Sequence, residues 1–176
     1  MAWFQRNHKN DFKLLKDTCT TFLNDFYATF GFNPGVFAKH RPDEVDAAEC
    51  YLFLSGLVLA SYASFAKNTD DEAMRSFATW VIGHIIKEVY KNKTQETAQT
   101  LIEKHFDRLA DMMETRQNEC IDLLVRDILK PRGERCAEGL TMRASELIFK
   151  GRLDGSIQLS SFLMKHISNF SRLFQI

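Results

Sequence analysis

The segment Cys50–Ala66, CYLFLSGLVLASYASFA, decides the fold of this 176-residue chain, because its seventeen residues include no charged side chain. A helix on a protein surface carries an apolar stripe and a polar face, whereas a helix that is apolar all round is buried. Charged residues make up 26% of the whole chain, so a long uncharged run stands out from its surroundings. We therefore expect this segment to form a central helix that is enclosed by the amphipathic segments around it.

A membrane span is the alternative interpretation of the same segment. A spanning helix needs about 20 predominantly apolar residues. The run is shorter and contains five hydroxyl side chains, Tyr51, Ser55, Ser61, Tyr62 and Ser64. No other segment resembles a span, and the start of the sequence, MAWFQRNHKNDF, lacks the apolar stretch of a secretion signal. We predict no membrane span and a cytoplasmic location.

Helical periodicity runs almost from end to end, and strand patterns are nearly absent. Breaks at Gly and Pro divide the chain into predicted helices at 10–30, from 43 to about 66, 71–91, 94–130, 138–150 and 156–174. We expect an irregular loop at 31–42 and a kink in the longest helix at 114–119. The last helix is amphipathic, with an apolar stripe from Ile157 to Phe174. The pattern predicts an all-α, single-domain bundle of five to seven helices, with residues 1–9 as a flexible basic tail.

Charge is unevenly distributed although the formal net charge is zero. The balance of Lys and Arg over Asp and Glu is +3 in residues 1–41, −4 in 42–91, −2 in 92–130 and +3 in 131–176. Nucleic-acid-binding proteins usually show a basic excess or stripe, so we expect no nucleic-acid partner. Basic ends and an acidic middle favour head-to-tail contacts or internal pairing. The four cysteines are widely spaced, which is typical of reduced thiols in the cytosol.

A candidate ligand site lies on the third predicted helix, at Phe77, Trp80, His84 and Glu88. His84 and Glu88 are four residues apart, so they share a helix face. A carboxylate beside an imidazole orients it and raises its pKa, as a proton-transfer or ligand-binding pair requires. With the aromatic residues, the pair could line a pocket for haem or another apolar ligand, between this helix and the central one. The plainer interpretation is an aromatic core with a half-buried helix pair.

Two further residues are candidates for ligand binding on the long helix. His105 has acidic neighbours and could join His84 and Glu88 in a metal site between two helices. The paired Glu-x-x-His motifs of di-iron bundles and the His-Glu-x-x-His motif are both absent, so we expect no metal site. Arg116 lies near the apolar stripe and could anchor an acidic ligand. An internal ion pair, or a side chain that reaches solvent, explains it more simply.

A basic patch surrounds the predicted turn at residues 131–133. It consists of Arg126, Lys130, Arg132 and Arg135, with Arg143 nearby. Such a patch could bind phosphate or an acidic partner. Cations near a helix C-terminus also compensate its dipole, which is the simpler explanation. No helix-turn-helix pattern is evident around this turn.

No nucleophile or phosphate-binding motif is present, and the sequence identifies no cofactor. We therefore predict a non-enzymatic, intracellular interaction or regulatory module that presents a helical face. Homodimerisation through the last helix or the long helix is consistent with this prediction. A sensor that binds haem or an apolar small molecule is the second hypothesis. An enzyme that uses His84 and Glu88 as an acid–base pair is the weakest, because no substrate can be named.

Overall fold

The computed structural model describes residues 8–30, 46–150 and 156–175. Within these ranges the chain forms six α-helices and no strand, which confirms the predicted all-α bundle. The helices are α1 His8–Phe30, α2 Ala47–Phe65, α3 Asp71–Ile85, α4 Ala98–Leu124, α5 Glu138–Phe149 and α6 Ser156–Phe174. The predicted loop at 31–42 and most of the predicted tail lie outside the described residues, and His8 and Lys9 of that tail belong to α1.

The central helix is α2, as the uncharged run predicts. Its residues from Cys50 to Tyr62 are buried, and it contacts each of the other five α-helices. The helix begins at Ala47, where the side chain of Asp46 accepts a 3.0 Å hydrogen bond from the backbone N–H of Glu49. By length and composition α2 could cross a membrane, but 72% of its most apolar window is buried within the bundle. Core helices that are mostly buried meet the same criterion.

α2 and α4 approach each other closely at Gly56. A Cβ atom built there would lie 3.1 Å from the Cβ of Arg116 and 3.3 Å from the backbone N of Gln117. The sequence predicts this small face from the four-residue repeat of Gly56, Ala60 and Ser64. The absence of a side chain at Gly56 therefore lets the two helix backbones pack together.

α4 is α-helical without interruption from Ala98 to Leu124, so the helix does not break at 114–119. Arg116 does not break the buried stripe, since its charge is paired with Glu49 of α2. The irregularity comes later, as a π-helical turn at Val125–Leu129. A second π-helical turn, Ile86–Tyr90, followed by a 3₁₀ turn, Lys91–Lys93, extends α3 where the sequence predicts ordinary α-helix.

α6 closes the bundle by laying an apolar face against α2, α5 and α1. The buried residues of that face are Leu159, Phe162, Leu163, His166, Ile167, Phe170 and Phe174. Ile157 belongs to the apolar stripe predicted from the sequence, but it is 82% exposed and does not join the buried face. Ile157 sits in the first turn of the helix and lies beside α5 at the surface.

Candidate functional site

The residues predicted to line an apolar pocket on α3 form a packed aromatic stack. The Trp80 ring lies between Phe77 and His84, with ring centroids 5.7 and 5.6 Å apart, and Tyr51 of α2 lies 5.4 Å from His84. Phe77 is completely buried, and the ammonium group of Lys16 stands 5.6 Å from the Trp80 centroid. The four rings are therefore joined by successive aromatic contacts.

His84 and Glu88 lie close enough for the Glu88 carboxylate to act on the imidazole. Burial lowers the pKa of His84 below its ordinary value, and the nearby Glu88 carboxylate opposes this effect only in part. Burial therefore favours the neutral form of the imidazole, whose ring contacts Trp80 and Tyr51.

His105 belongs to a separate surface cluster on α4. Its ring packs 4.7 Å from the Tyr90 ring, and Nδ1 lies 3.5 Å from Nη2 of Arg108. The same Arg108 nitrogen donates a 2.9 Å hydrogen bond to the Tyr90 hydroxyl. A guanidinium beside the imidazole opposes the binding of a cation. Among the described residues, no group of three or more His, Cys, Asp or Glu side chains could hold a metal ion.

Arg116 is held in an internal ion pair. Its Nη2 and Nε atoms donate to the two carboxylate oxygens of Glu49 at 2.7 and 2.8 Å, and Nη1 donates to Glu119 at 3.2 Å. Hydrogen bonding to Glu49 raises the pKa of the guanidinium above its ordinary value. Glu119 also accepts from Arg143 of α5, so three helices share one charged network. Three of the five N–H donors of Arg116 are hydrogen-bonded within the protein, so an internal ion-pair network accounts for this residue.

The predicted basic patch borders an open cleft of about 650 Å³ between the π-helical turn that follows α4 and the start of α5. Arg126 and Arg132 line this cleft together with three acidic residues, Asp127, Glu134 and Glu138. Lys130 and Arg135 lie beside it in the chain and are exposed. Among the described residues Lys130, Arg132 and Arg135 take part in no ion pair, whereas Arg126 lies 3.3 Å from Asp127.

Asp127 has a structural role in the floor of this cleft. α5 begins after Ala137, which has no side chain to cap the helix, and the buried Asp127 carboxylate accepts a 3.1 Å hydrogen bond from the backbone N–H of Leu140 instead. A Cβ added at Gly139 would lie 1.8 Å from Nη2 of Arg126 and 3.1 Å from Oδ1 of Asp127, so a side chain there would displace the Arg126 guanidinium. The Asp127 carboxylate of the π-helical turn therefore caps the N-terminus of α5 at the floor of the cleft.

A second, more apolar cleft of about 380 Å³ lies between α5 and α6. We call it the α5–α6 groove, and it is lined by Glu138, Thr141, Met142, Ile157, Ser160 and Ser161. Met142 and Ile157 are 59% and 82% exposed, the two largest values among the exposed bulky apolar side chains of the described chain. Glu138 and Met142 line both clefts, so the groove and the basic cleft form one continuous surface. The basic residues can be identified from the sequence, but this apolar groove cannot. Nothing in the helical pattern around Met142 indicates that its side chain is exposed.

Comparisons with known proteins add no family to these observations. No family model matches the chain, and no curated protein and no solved structure is significantly similar to it.

Proposed function

We propose that this protein is a non-enzymatic helical module that binds a segment of a partner protein in the α5–α6 groove. The observation that carries the proposal is the pair Met142 and Ile157, whose side chains are largely exposed on opposite walls of one groove. Exposing a large apolar side chain to water is unfavourable, and adjacent exposed apolar groups beside a concave surface are typical of interaction sites. Single exposed apolar residues elsewhere need no such explanation.

The chemistry of the surroundings favours an acidic partner. The basic cleft that continues the groove is lined by Arg126 and Arg132, and Lys130 and Arg135 are exposed beside it. Among the described residues, only Arg126 of these four lies within ion-pair distance of a carboxylate. Two carboxylates of the cleft, Glu134 and Glu138, are exposed, and the third, Asp127, is buried, bonded to the start of α5 and paired with Arg126. Four cationic side chains against three carboxylates leave one positive charge in excess beside an apolar groove.

A groove between two helices fits an amphipathic helical segment. Such a segment would place apolar side chains one turn apart against Met142 and Ile157 and would carry Asp or Glu toward the basic cleft. Apolar contacts would supply most of the affinity, and the charged rim would mainly set orientation and the rate of association.

A display library of randomised helix-length peptides, selected on the intact protein, tests the proposal. We expect selected peptides to be enriched in apolar residues at helical spacing and in Asp or Glu, and to shift the NMR signals of residues lining the groove. The double variant Met142→Ser with Ile157→Ser should weaken binding by about tenfold or more, as loss of two apolar anchors does. Ile102→Ser is the matched control, since Ile102 is an exposed apolar residue of α4 outside the groove lining.

The contribution of charge is tested with the same peptides, and self-association is tested by sedimentation. Arg126→Gln with Arg132→Gln should weaken binding and flatten its dependence on salt, because fewer cations face the acidic positions. Selected peptides that bind without contacting the groove residues would overturn the proposal. A second copy of the chain would replace the acidic partner if sedimentation showed a dimer that the Met142→Ser, Ile157→Ser variant abolishes.

A further inference from the structure

His166 of α6 is a titratable residue buried in an aromatic cage. Its side chain is only 5% exposed, and its ring centroid lies 4.5 Å from Phe162, 4.8 Å from Phe22 and 6.1 Å from Phe170. Phe22 belongs to α1 and the other two belong to α6, so the imidazole sits in the contact between these helices. An aromatic cluster of this kind accommodates a neutral imidazole as a flat, mostly apolar ring.

The imidazole has no adequate partner for a positive charge. Its Nε2 atom is buried and has no hydrogen-bond partner in the described part of the chain. The same Nε2 atom lies 3.5 Å from Oδ2 of Asp25 on α1, but that side chain is 49% exposed, so solvent weakens the attraction. Lys165, the neighbouring residue on α6, acts in the opposite direction. Among the described residues of α2 and α5, which also pack against α6, no charged group acts on the ring.

Burial is the larger effect on this residue and lowers the pKa of His166 below its ordinary value, while Asp25 raises it in part. The Phe162 and Phe22 rings, with centroids 4.5 and 4.8 Å away, are also near enough to attract an imidazolium, which opposes burial as Asp25 does. Because burial is the larger effect, the unfolded chain binds a proton more readily than the folded one. Because the folded-state pKa of His166 lies below the unfolded value, the free energy of unfolding falls as the pH drops from the unfolded pKa toward the folded pKa.

We propose that His166 makes the docking of α6 acid-sensitive, so that protonation of the imidazole loosens α6 from α1 by placing a cation among Phe22, Phe162 and Phe170. The apolar face of α6 would then open to solvent before the rest of the bundle unfolds. This mechanism does not depend on what binds the α5–α6 groove. Its physical basis is the burial of a titratable ring at a helix contact, where its charged form is less well solvated than in water.

Hydrogen–deuterium exchange of the intact protein at two pH values tests the proposal. With rates corrected for intrinsic exchange, we expect protection of the α6 amides to fall on acidification from about pH 7.5 to about pH 5.5, a range that includes the ordinary pKa of His. The fall should approach tenfold for each pH unit between the unfolded and folded pKa values of His166. Protection in α4 should change much less, because His105 of that helix is only half-buried and packs against one ring among the described residues, that of Tyr90.

Two variants remove the titration in different ways. His166→Gln keeps a polar, uncharged side chain, and His166→Phe extends the aromatic cluster, so at least one should preserve the fold. Either should abolish the acid-dependent loss in α6. Asp25→Asn should enlarge that loss, because it removes the group that opposes burial. His105→Gln, which changes a histidine outside the cage, should leave the loss unchanged.

The imidazole can also be titrated directly in the wild-type protein by NMR. A pKa of His166 at or above the ordinary value would overturn the proposal. So would an acid-dependent loss that is equal in every helix, because burial also lowers the pKa of His84 on α3 and a global effect would follow from both residues. A loss in α6 that persists in both His166 variants would overturn it as well.

Discussion

Glu49 and Arg116, separated by 67 residues in the chain, form a two-pronged ion pair with N–O distances of 2.7 and 2.8 Å. Their side chains are 14% and 12% exposed, so both charges are largely removed from water. The pair joins the first turn of α2 to the middle of α4, and the same Arg116 residue forms the close approach to Gly56 further along α2. It fixes the register of the two helices, because sliding either helix would leave a charge unpaired.

Replacing one partner of this pair should therefore be costly. We expect Arg116→Gln to lower the free energy of unfolding by about 3 kcal/mol, since it leaves the Glu49 carboxylate buried without its cation. Chemical denaturation followed by circular dichroism measures the change. Lys13→Gln is the control, because the Lys13–Asp17 pair is exposed and exposed pairs contribute less than about 1 kcal/mol. Equal losses of unfolding free energy in the two variants would show that the buried pair contributes no more to stability than an exposed pair.

The same pair explains why the sequence predicts α4 incorrectly at its centre. A charged residue close to an apolar stripe indicates an interruption when only neighbouring residues are considered. The partner that satisfies Arg116 lies in α2, and a local pattern carries no information on it. By contrast, the burial of α2 follows from its own composition, and the stripes of α1, α3 and α6 follow from their own periodicity. What the sequence predicts well is local, and what it misses depends on pairing between distant segments.

The candidate site shows the same division. Basic residues around the turn at 131–133 are visible in the sequence, and the structure places Arg126 and Arg132 in one cleft. Ile157 is indistinguishable from a core residue by spacing alone, yet its position in the first turn of α6 leaves it exposed. The aromatic and histidine residues of α3 are conspicuous in the sequence, but the structure packs them against each other. Exposure, which decides between core and binding surface, is a property of the assembled bundle.

Gly56 should be intolerant of even a methyl group. Alanine favours helix over glycine by about 1 kcal/mol, but the new Cβ would lie 3.1 to 3.3 Å from α4, including backbone atoms that cannot move independently. Overpacking of this kind costs about 1–3 kcal/mol, so we expect a net loss of stability in Gly56→Ala. Gly83→Ala is a matched control on α3, where nothing lies within 4 Å of the added atom. That substitution should stabilise the protein, and thermal unfolding of the two variants should shift in opposite directions.

Asp127 should be needed for α5 to begin at its observed position. Removing the carboxylate leaves the buried N–H of Leu140 without its acceptor, and loss of a helix cap costs about 1–2 kcal/mol. We expect Asp127→Ala to show this loss and Asp127→Asn, which keeps an acceptor oxygen, to show less of it. Asp122→Ala, at an exposed position of α4, should change the free energy of unfolding little. Equal losses in the Ala and Asn variants would contradict the capping role.

The four thiols should differ sharply in reactivity. Cys19, Cys50 and Cys120 are buried, and burial raises the pKa of each thiol, to about 12 for Cys19. Because the thiolate is the reactive form, these three should resist alkylation and disulfide exchange in the folded protein at pH 8. Cys136, exposed at the basic cleft, should react alone. Titration with a chromogenic disulfide should release one equivalent rapidly from the native protein and four in denaturant, and Cys136→Ser should abolish the rapid phase. A second rapidly reacting thiol in the native state would show that the core around α2 opens more readily than its burial implies.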